Sequence, residues 1–161
     1  MLNTGDRAPE FTLPDERGVD VSLSSVLHTG AVLLYFYPAD FTPGCTREAC
    51  GIAGHFPALE EQRIRVLGVS PQSADSHRRF RERHRLPFPL LCDPGKTVIR
   101  MYDVNGPLGI GVRRATYLID PARIIRGAVL ADFRIAAHLD FIRQAHELLQ
   151  QPGVGTTWTA G

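Results

Sequence analysis

The sequence predicts an α/β domain with a mixed central β-sheet, helices on its flanks and a β-hairpin at the N-terminal end. Three observations lead there. Ala31-Val-Leu-Leu-Tyr-Phe-Tyr37 is apolar throughout and rich in strand formers, the pattern of a strand covered on both faces. Strand-like and helix-like stretches alternate along the chain without a repeat or a low-complexity linker. Finally, Arg114 to Asp120 and Ile124 to Val129 form a hairpin across Pro121-Ala-Arg, which adds antiparallel strands to the sheet.

The elements follow in order. Glu10 to Leu13 and Val19 to Ser22 flank the turn Pro14-Asp15-Glu16-Arg17-Gly18 and make the N-terminal hairpin. The strand Ala31 to Tyr37 stops at Pro38. Thr42-Pro43 marks an N-cap followed by Pro at the first helical position, and the helix runs to about Glu61, with Pro57 a site of bending or early termination. Arg65 to Ser70 is a second buried strand; a helix from Ser73 to Arg85 follows and Pro87 ends it. Thr97 to Tyr102 is a short helix after the Asp93-Pro-Gly turn. Ile135 to Gln150 is an amphipathic helix with Leu139, Ile142, Ala145 and Leu149 on one stripe. Residues 1–150 are expected to be one domain and 151–161 a flexible C-terminal tail, with Trp158 a possible anchor.

Composition narrows the function. At 161 residues the chain buries enough surface to fold without staples, and three cysteines, an odd number, do not make a disulfide framework. A net charge of +1 argues against a nucleic-acid partner, even though His77-Arg-Arg-Phe-Arg-Glu-Arg-His-Arg85 is locally basic. Phe80 and His84 form that helix's inward stripe. No apolar leader or membrane-length run is present, so a cytoplasmic protein is expected. His55 lies near Cys50, but no zinc-ligand spacing accompanies it, and Gly109-Ile-Gly111 is too short for a dinucleotide loop. Neither metal nor cofactor is expected.

The chemistry concentrates in Pro38-Ala-Asp-Phe-Thr42-Pro-Gly-Cys45-Thr-Arg-Glu48-Ala-Cys50. With Thr42 as cap, Cys45 is the third helical residue, among backbone N–H groups that lack helical acceptors and at the positive end of the helix dipole. Such a position favours the thiolate, the reactive form. An unperturbed thiol of pKa ~8.5 is only ~3% ionised at neutral pH; bringing it to ~6 requires about 3.4 kcal/mol, whereas a helix terminus contributes ~0.3–2. A nearby cation is therefore needed. Gly44 leaves the first-turn amides open to a small substrate.

Pro38, Thr42 and Cys45 match the pattern Pro-x3-Thr-x2-Cys, Glu48 continues it, and Gly111-Val-Arg-Arg114-Ala-Thr-Tyr-Leu-Ile-Asp120 completes it. With Ser70-Pro71 and Leu86 to Pro94, these segments resemble the peroxiredoxins, and Cys50, five residues after Cys45, is similar to the resolving position of their Q-type (bacterioferritin-comigratory) subfamily. The resemblance implies a thioredoxin-like fold and a thiol-dependent peroxidase acting on hydrogen peroxide and organic hydroperoxides. Cys45 would become a sulfenic acid; Thr42 and Arg114 would position the peroxide, and Pro38 would shield the sulfur. Cys50 would then form a disulfide with Cys45, reduced by thioredoxin or a similar dithiol. Strand alternation puts Arg114 on the face of Thr116 and Leu118, with Arg113 opposite. Glu48 is either a partner for an arginine or a solvated helix residue, and Cys92 is a buried strand-end thiol or an alternative resolving cysteine.

Residues five apart on an α-helix have Cα atoms roughly 8.7 Å apart, beyond the ~7 Å reach of a disulfide. The Cys45–Cys50 bond therefore requires Thr42 to about Phe56 to unwind, and Gly51 and Gly54 lower the cost. After Cys50 the chain carries Ile52, Ala53, Gly54 and His55 where the subfamily often has charges. A redox sensor or holdase and a thioredoxin-like disulfide oxidoreductase are the competing functions; the second normally uses Cys-x2-Cys, which is missing. A monomer, or at most a weak homodimer, is expected.

Overall fold

A computed structural model describes residues 1–152 and the backbone of residues 157–159. β1 (Thr12–Pro14) and β2 (Asp20–Ser22) form the expected antiparallel hairpin, and a short helix α1 (Leu23–Leu27), capped by Ser22, leads into β3 (Ala31–Phe36). Then come α2 (Pro43–Glu61), β4 (Ile64–Ser70), α3 (Ala74–His84), β5 (Leu90–Cys92) and α4 (Thr97–Met101). A 3-10 turn at Pro107–Gly109 precedes β6 (Ala115–Ile119), β7 (Ile125–Leu130), α5 (Ile135–Arg143), α6 (Ala145–Gln150) and β8 (Thr157–Thr159).

The main sheet has the order β5-β4-β3-β6-β7-β8. β3 runs parallel to β4 and antiparallel to β6, so the chain's most apolar strand sits between the parallel half and the antiparallel half. Every residue of β3 is buried. Side chains alternate across the pleat: Val32, Leu34 and Phe36 enter the core beneath the N-terminal hairpin and α4, while Leu33, Tyr35 and Tyr37 enter the core under α2, α3 and α5. The predicted mixed α/β sheet flanked by helices is the one observed. The segment 151–161 lies partly outside the described residues; within it, Thr157–Thr159 runs parallel to β7.

α2 ends at Glu61, as the sequence predicts, and one later helix departs from its sequence reading. α2 continues past Pro57 to Glu61, because Ile52 and Leu59, on either side of the proline, are both anchored in the core. The final helix is instead two, broken at Gln144, whose N–H bonds Phe141 O in a tight last turn. The break rotates the following residues, so Leu148 replaces Leu149 in the core, and Ile135, His138, Phe141 and Ile142 rather than Leu139 are the buried residues of α5.

At the centre of the sheet Gly68 lets β4 pass beneath Tyr35: a Cβ there would lie 2.9 Å from both the Tyr35 ring and Leu90 Cδ2. Gly68→Ala should destabilise the protein by about 1–3 kcal/mol through overpacking, read from the midpoint of denaturant unfolding.

Candidate active site

Cys45 stands in the first turn of α2, at the C-terminal end of β3, and its side chain is buried. Thr42 is the N-cap, as predicted, with extended backbone, but its hydroxyl donates to Ala39 O (3.1 Å) and makes no cap bond. The first-turn amides of Gly44 and Cys45 therefore keep no side-chain acceptor from Thr42.

The missing cation comes from across the sheet. Arg114, immediately before β6, places Nη2 3.3 Å from Cys45 Sγ, while Nη1 donates to Glu48 Oε2 one turn along α2. The third nitrogen, Nε, donates to Asp132 O (3.2 Å), and the Arg114 N–H donates to Asp132 Oδ1 (3.0 Å). Held on all sides, this guanidinium has one orientation, whereas the half-exposed Arg113 pairs with Asp132 Oδ2. Gly44 makes room for it: an added Cβ would stand 3.1 Å from Nη2. Pro38, Thr42, Gly44 and Arg114 all line one cleft of about 910 Å³, whose other walls include Ile110, Phe133 and Ile135.

The two remaining thiols differ from Cys45 and from each other. Cys50 is exposed on the outer side of an intact α2, and all three cysteines are free. Cys92 is buried at the end of β5 beside Asp15 O, and burial pushes its thiol up to about 11.

Three groups escaped the sequence reading. Asp40 anchors the loop before α2: it accepts from Tyr37 Oη (2.7 Å) and from Ser76 Oγ (2.7 Å), and lies 2.7 Å from His77 Nδ1. His77 Nε2 faces Leu91 O at 3.1 Å, which ties that loop to α3 and β5. Of the inward stripe assigned to α3, Phe80 is fully buried and packs edge-on with Phe41, whose left-handed backbone (φ 64°) is a strain of roughly 1–2 kcal/mol; His77, one turn earlier, was the missed member. The third group is His138 on α5, fully buried behind Glu48. Its Nε2 bonds Ala131 O (2.9 Å) and so carries the hydrogen; its Nδ1 accepts from Thr116 Oγ1 (2.9 Å) and lies 3.6 Å from Glu48 Oε1. Only its place one helical turn from Ile135 and Ile142 hinted at burial.

Burial raises Glu48 to about 7 despite the pull of Arg114. Burial, helped by the Arg114 charge, lowers His138 to about 4.

Residues 4–128 match the family model described as AhpC/TSA. The chain is 39% identical to the peroxiredoxin bcp of Coxiella burnetii over 144 residues, 86% of this chain and 94% of that one. It is 37% identical to the chloroplastic peroxiredoxin Q of Arabidopsis thaliana over 86% of this chain and 64% of that protein. The crystal structure of the peroxidoxin BcpB of Mycobacterium tuberculosis superposes with a TM-score of 0.85 at 35% identity, covering 96% of this chain and all of that one. A structure of the Xanthomonas campestris bacterioferritin comigratory protein, described in terms of alkyl peroxide reduction, gives 0.78 at 28% identity, covering 85% and 90%.

Opposite pH slopes follow from the buried pair. Glu48 binds its proton more tightly folded (about 7) than at its ordinary 4.5, so its stabilising contribution is complete below 4.5 and is lost as pH rises towards 7. His138, held at about 4 against an ordinary 6.5, contributes above 6.5 and loses that contribution as pH falls towards 4. In the native protein the two slopes offset each other between 4.5 and 6.5. Denaturant titrations should show stability of Glu48→Gln rising with pH across that window, and stability of His138→Leu falling from pH 4.5 to 7.

Proposed function

The chain belongs to the AhpC/TSA family and is a peroxiredoxin of the Q type, a thiol-dependent peroxidase, and from that premise we propose that Cys45 is the sulfur that attacks the peroxide. The observation that carries this is the Arg114 guanidinium 3.3 Å from Cys45 Sγ at the N-terminus of α2. It supplies the cation that the helix terminus alone does not, and it favours the thiolate.

The Cys45 thiolate attacks the outer peroxide oxygen; the S–O bond forms, the O–O bond breaks, and the electron pair leaves with the second oxygen as RO⁻, which a proton converts to ROH. Arg114 Nη2 and the first-turn amides of Gly44 and Cys45 face the oxygens where charge develops. Thr42, at the cleft wall, donates its hydroxyl hydrogen to Ala39 O and keeps oxygen lone pairs to accept from the peroxide O–H, and Pro38 keeps water off the sulfur. A cleft of about 910 Å³ with Ile110 and Phe133 on its walls, 76% and 97% exposed, supports entry of organic hydroperoxides as well as hydrogen peroxide.

Cys50 then attacks the Cys45 sulfenic sulfur, a disulfide forms and water leaves. Cys45 faces the core and Cys50 the solvent on a continuous helix, so the first turns of α2 open before the sulfurs meet. An external dithiol of the thioredoxin type attacks the bond and restores both thiols. The high proton affinity of Cys92 and its burial support a bystander role for it. All these groups lie within residues 1–150, which we take as the catalytic domain, working as a monomer in the cytoplasm. No helix among the described residues is long and apolar enough to cross a membrane.

Stopped-flow peroxide consumption tests the assignment. Cys45→Ser should abolish the fast reaction, and Arg114→Gln should slow it by ~10²–10³-fold. Cys50→Ser should keep the first turnover and lose recycling by dithiol; retained fast consumption in Cys45→Ser would refute the mechanism. Hydrogen exchange should show the amides from Thr42 to Phe56 losing protection on oxidation, and equal protection in the two states would exclude the opening of α2.

A further inference from the structure

One cation, Arg114, touches two acids on the same face of α2, three residues apart: the Cys45 thiol and the Glu48 carboxyl. All three groups are buried, so a single positive charge cannot balance both acids ionised. The surroundings show where the surplus is relieved. Glu48 Oε1 has no hydrogen-bond partner among the described residues, and 3.6 Å away lies His138 Nδ1, which carries no hydrogen because Nε2 holds it against Ala131 O. Two lone-pair atoms facing each other on fully buried side chains leave room for one proton between them.

We infer that this gap is a proton site coupled to the nucleophile: when Cys45 loses its proton, Glu48 gains one on Oε1, directed at Nδ1 of His138. His138 is thereby a positioning residue for the peroxidase reaction. The inference rests on Cys45 being the attacking sulfur.

The balance is simple. The Cys45 S–H bond breaks and the Glu48 O–H bond forms, so the buried site keeps its net charge while Arg114 turns its full charge to the thiolate. Once the peroxide O–O bond has broken, RO⁻ takes up one proton and Glu48 returns to its ionised form. The other groups facing the pair are committed or neutral. Asp132 is bound by Arg113 and by the Arg114 backbone, and Asp40 is bound by Tyr37, Ser76 and His77. Tyr35, whose buried hydroxyl also lacks a partner among the described residues, stays protonated because burial raises it far above its ordinary value. Thr116 already donates to His138 Nδ1 and competes with Glu48 for that lone pair. Burial brings Glu48 to about 7, so its proton is gained and lost around neutrality.

Infrared spectroscopy of the reduced protein, with no peroxide present, reads Glu48 independently of turnover. At neutral pH the wild type should show the carbonyl band of a protonated carboxylic acid. That band should vanish in Glu48→Gln and weaken strongly in Cys45→Ser, where no thiolate competes for Arg114. Peptide-resolved alkylation of Cys45 by iodoacetamide gives the second readout. His138→Leu, which removes the acceptor, should move the alkylation–pH profile up by ~1 unit; Thr116→Val, which frees Nδ1 for Glu48, should move it down. A role confined to packing would shift neither or both alike. A wild type without the band, a band unchanged in Cys45→Ser, or equal shifts in the two variants overturns the proposal. Should His138→Leu fail to fold, the wild-type band and Thr116→Val decide alone. Loss of peroxide consumption in Cys45→Ser tests the nucleophile separately, so the two assignments fail independently.

Discussion

Everything at this site depends on one buried guanidinium that serves two acids. Arg114 bonds the Cys45 sulfur with one nitrogen and the Glu48 carboxylate with another, and its third nitrogen and its backbone are pinned to Asp132. A buried arginine is tolerable only when its donors are used, and here each of the three side-chain nitrogens has a named acceptor. The rest of the architecture delivers that geometry. β6 lies antiparallel to β3, so the residue just before β6 faces the residues just after β3, where α2 begins. Gly44 leaves the gap that the guanidinium fills.

The same packing opposes the disulfide step proposed for Cys50. α2 is nineteen residues long, with Cys45, Glu48, Ala49, Ile52 and Leu59 held in the core, and it turns Cys50 outward. In the proposed cycle the attack by Cys45 uses this helix intact, with its N-terminus and Arg114 beside the sulfur, and bonding to Cys50 needs it open. Gly51 serves both ends. It lets α5 approach closely, with Leu139 Cδ2 2.7 Å from where a Cβ would stand, and it lowers the cost of leaving the helical state. In that cycle the Cys45–Cys50 disulfide is a bond that loosens the fold, and the reduced form is the better packed one.

Much of the fold and part of the site were legible because their signals are local. Seven consecutive apolar residues ending at Tyr37 could be little else than the central strand, Thr42-Pro43 marked the start of α2, and alternation chose Arg114 over Arg113. The stripe of the last helix holds at Ile142 and Ala145, but the turn at Gln144 shifts burial from Leu149 to Leu148, and nothing in the periodicity reports that turn. The helical pattern does not choose between a solvated and a buried Glu48, since both satisfy it.

The amino-acid sequence by itself determined the alternation of strands and helices, the position of Cys45 at a helix start and the need for a cation beside any thiolate there. These follow from backbone sterics, helix polarity and the arithmetic of thiol ionisation, which act over a few residues. Only the tertiary structure decided what surrounds that thiol: Glu48 behind Arg114, His138 behind Glu48, and Asp40 locked to His77. These partners are separated by 37 to 90 residues along the chain. Their charges and protons are set by burial and by one another's distance, quantities that exist only once the sheet has brought them together.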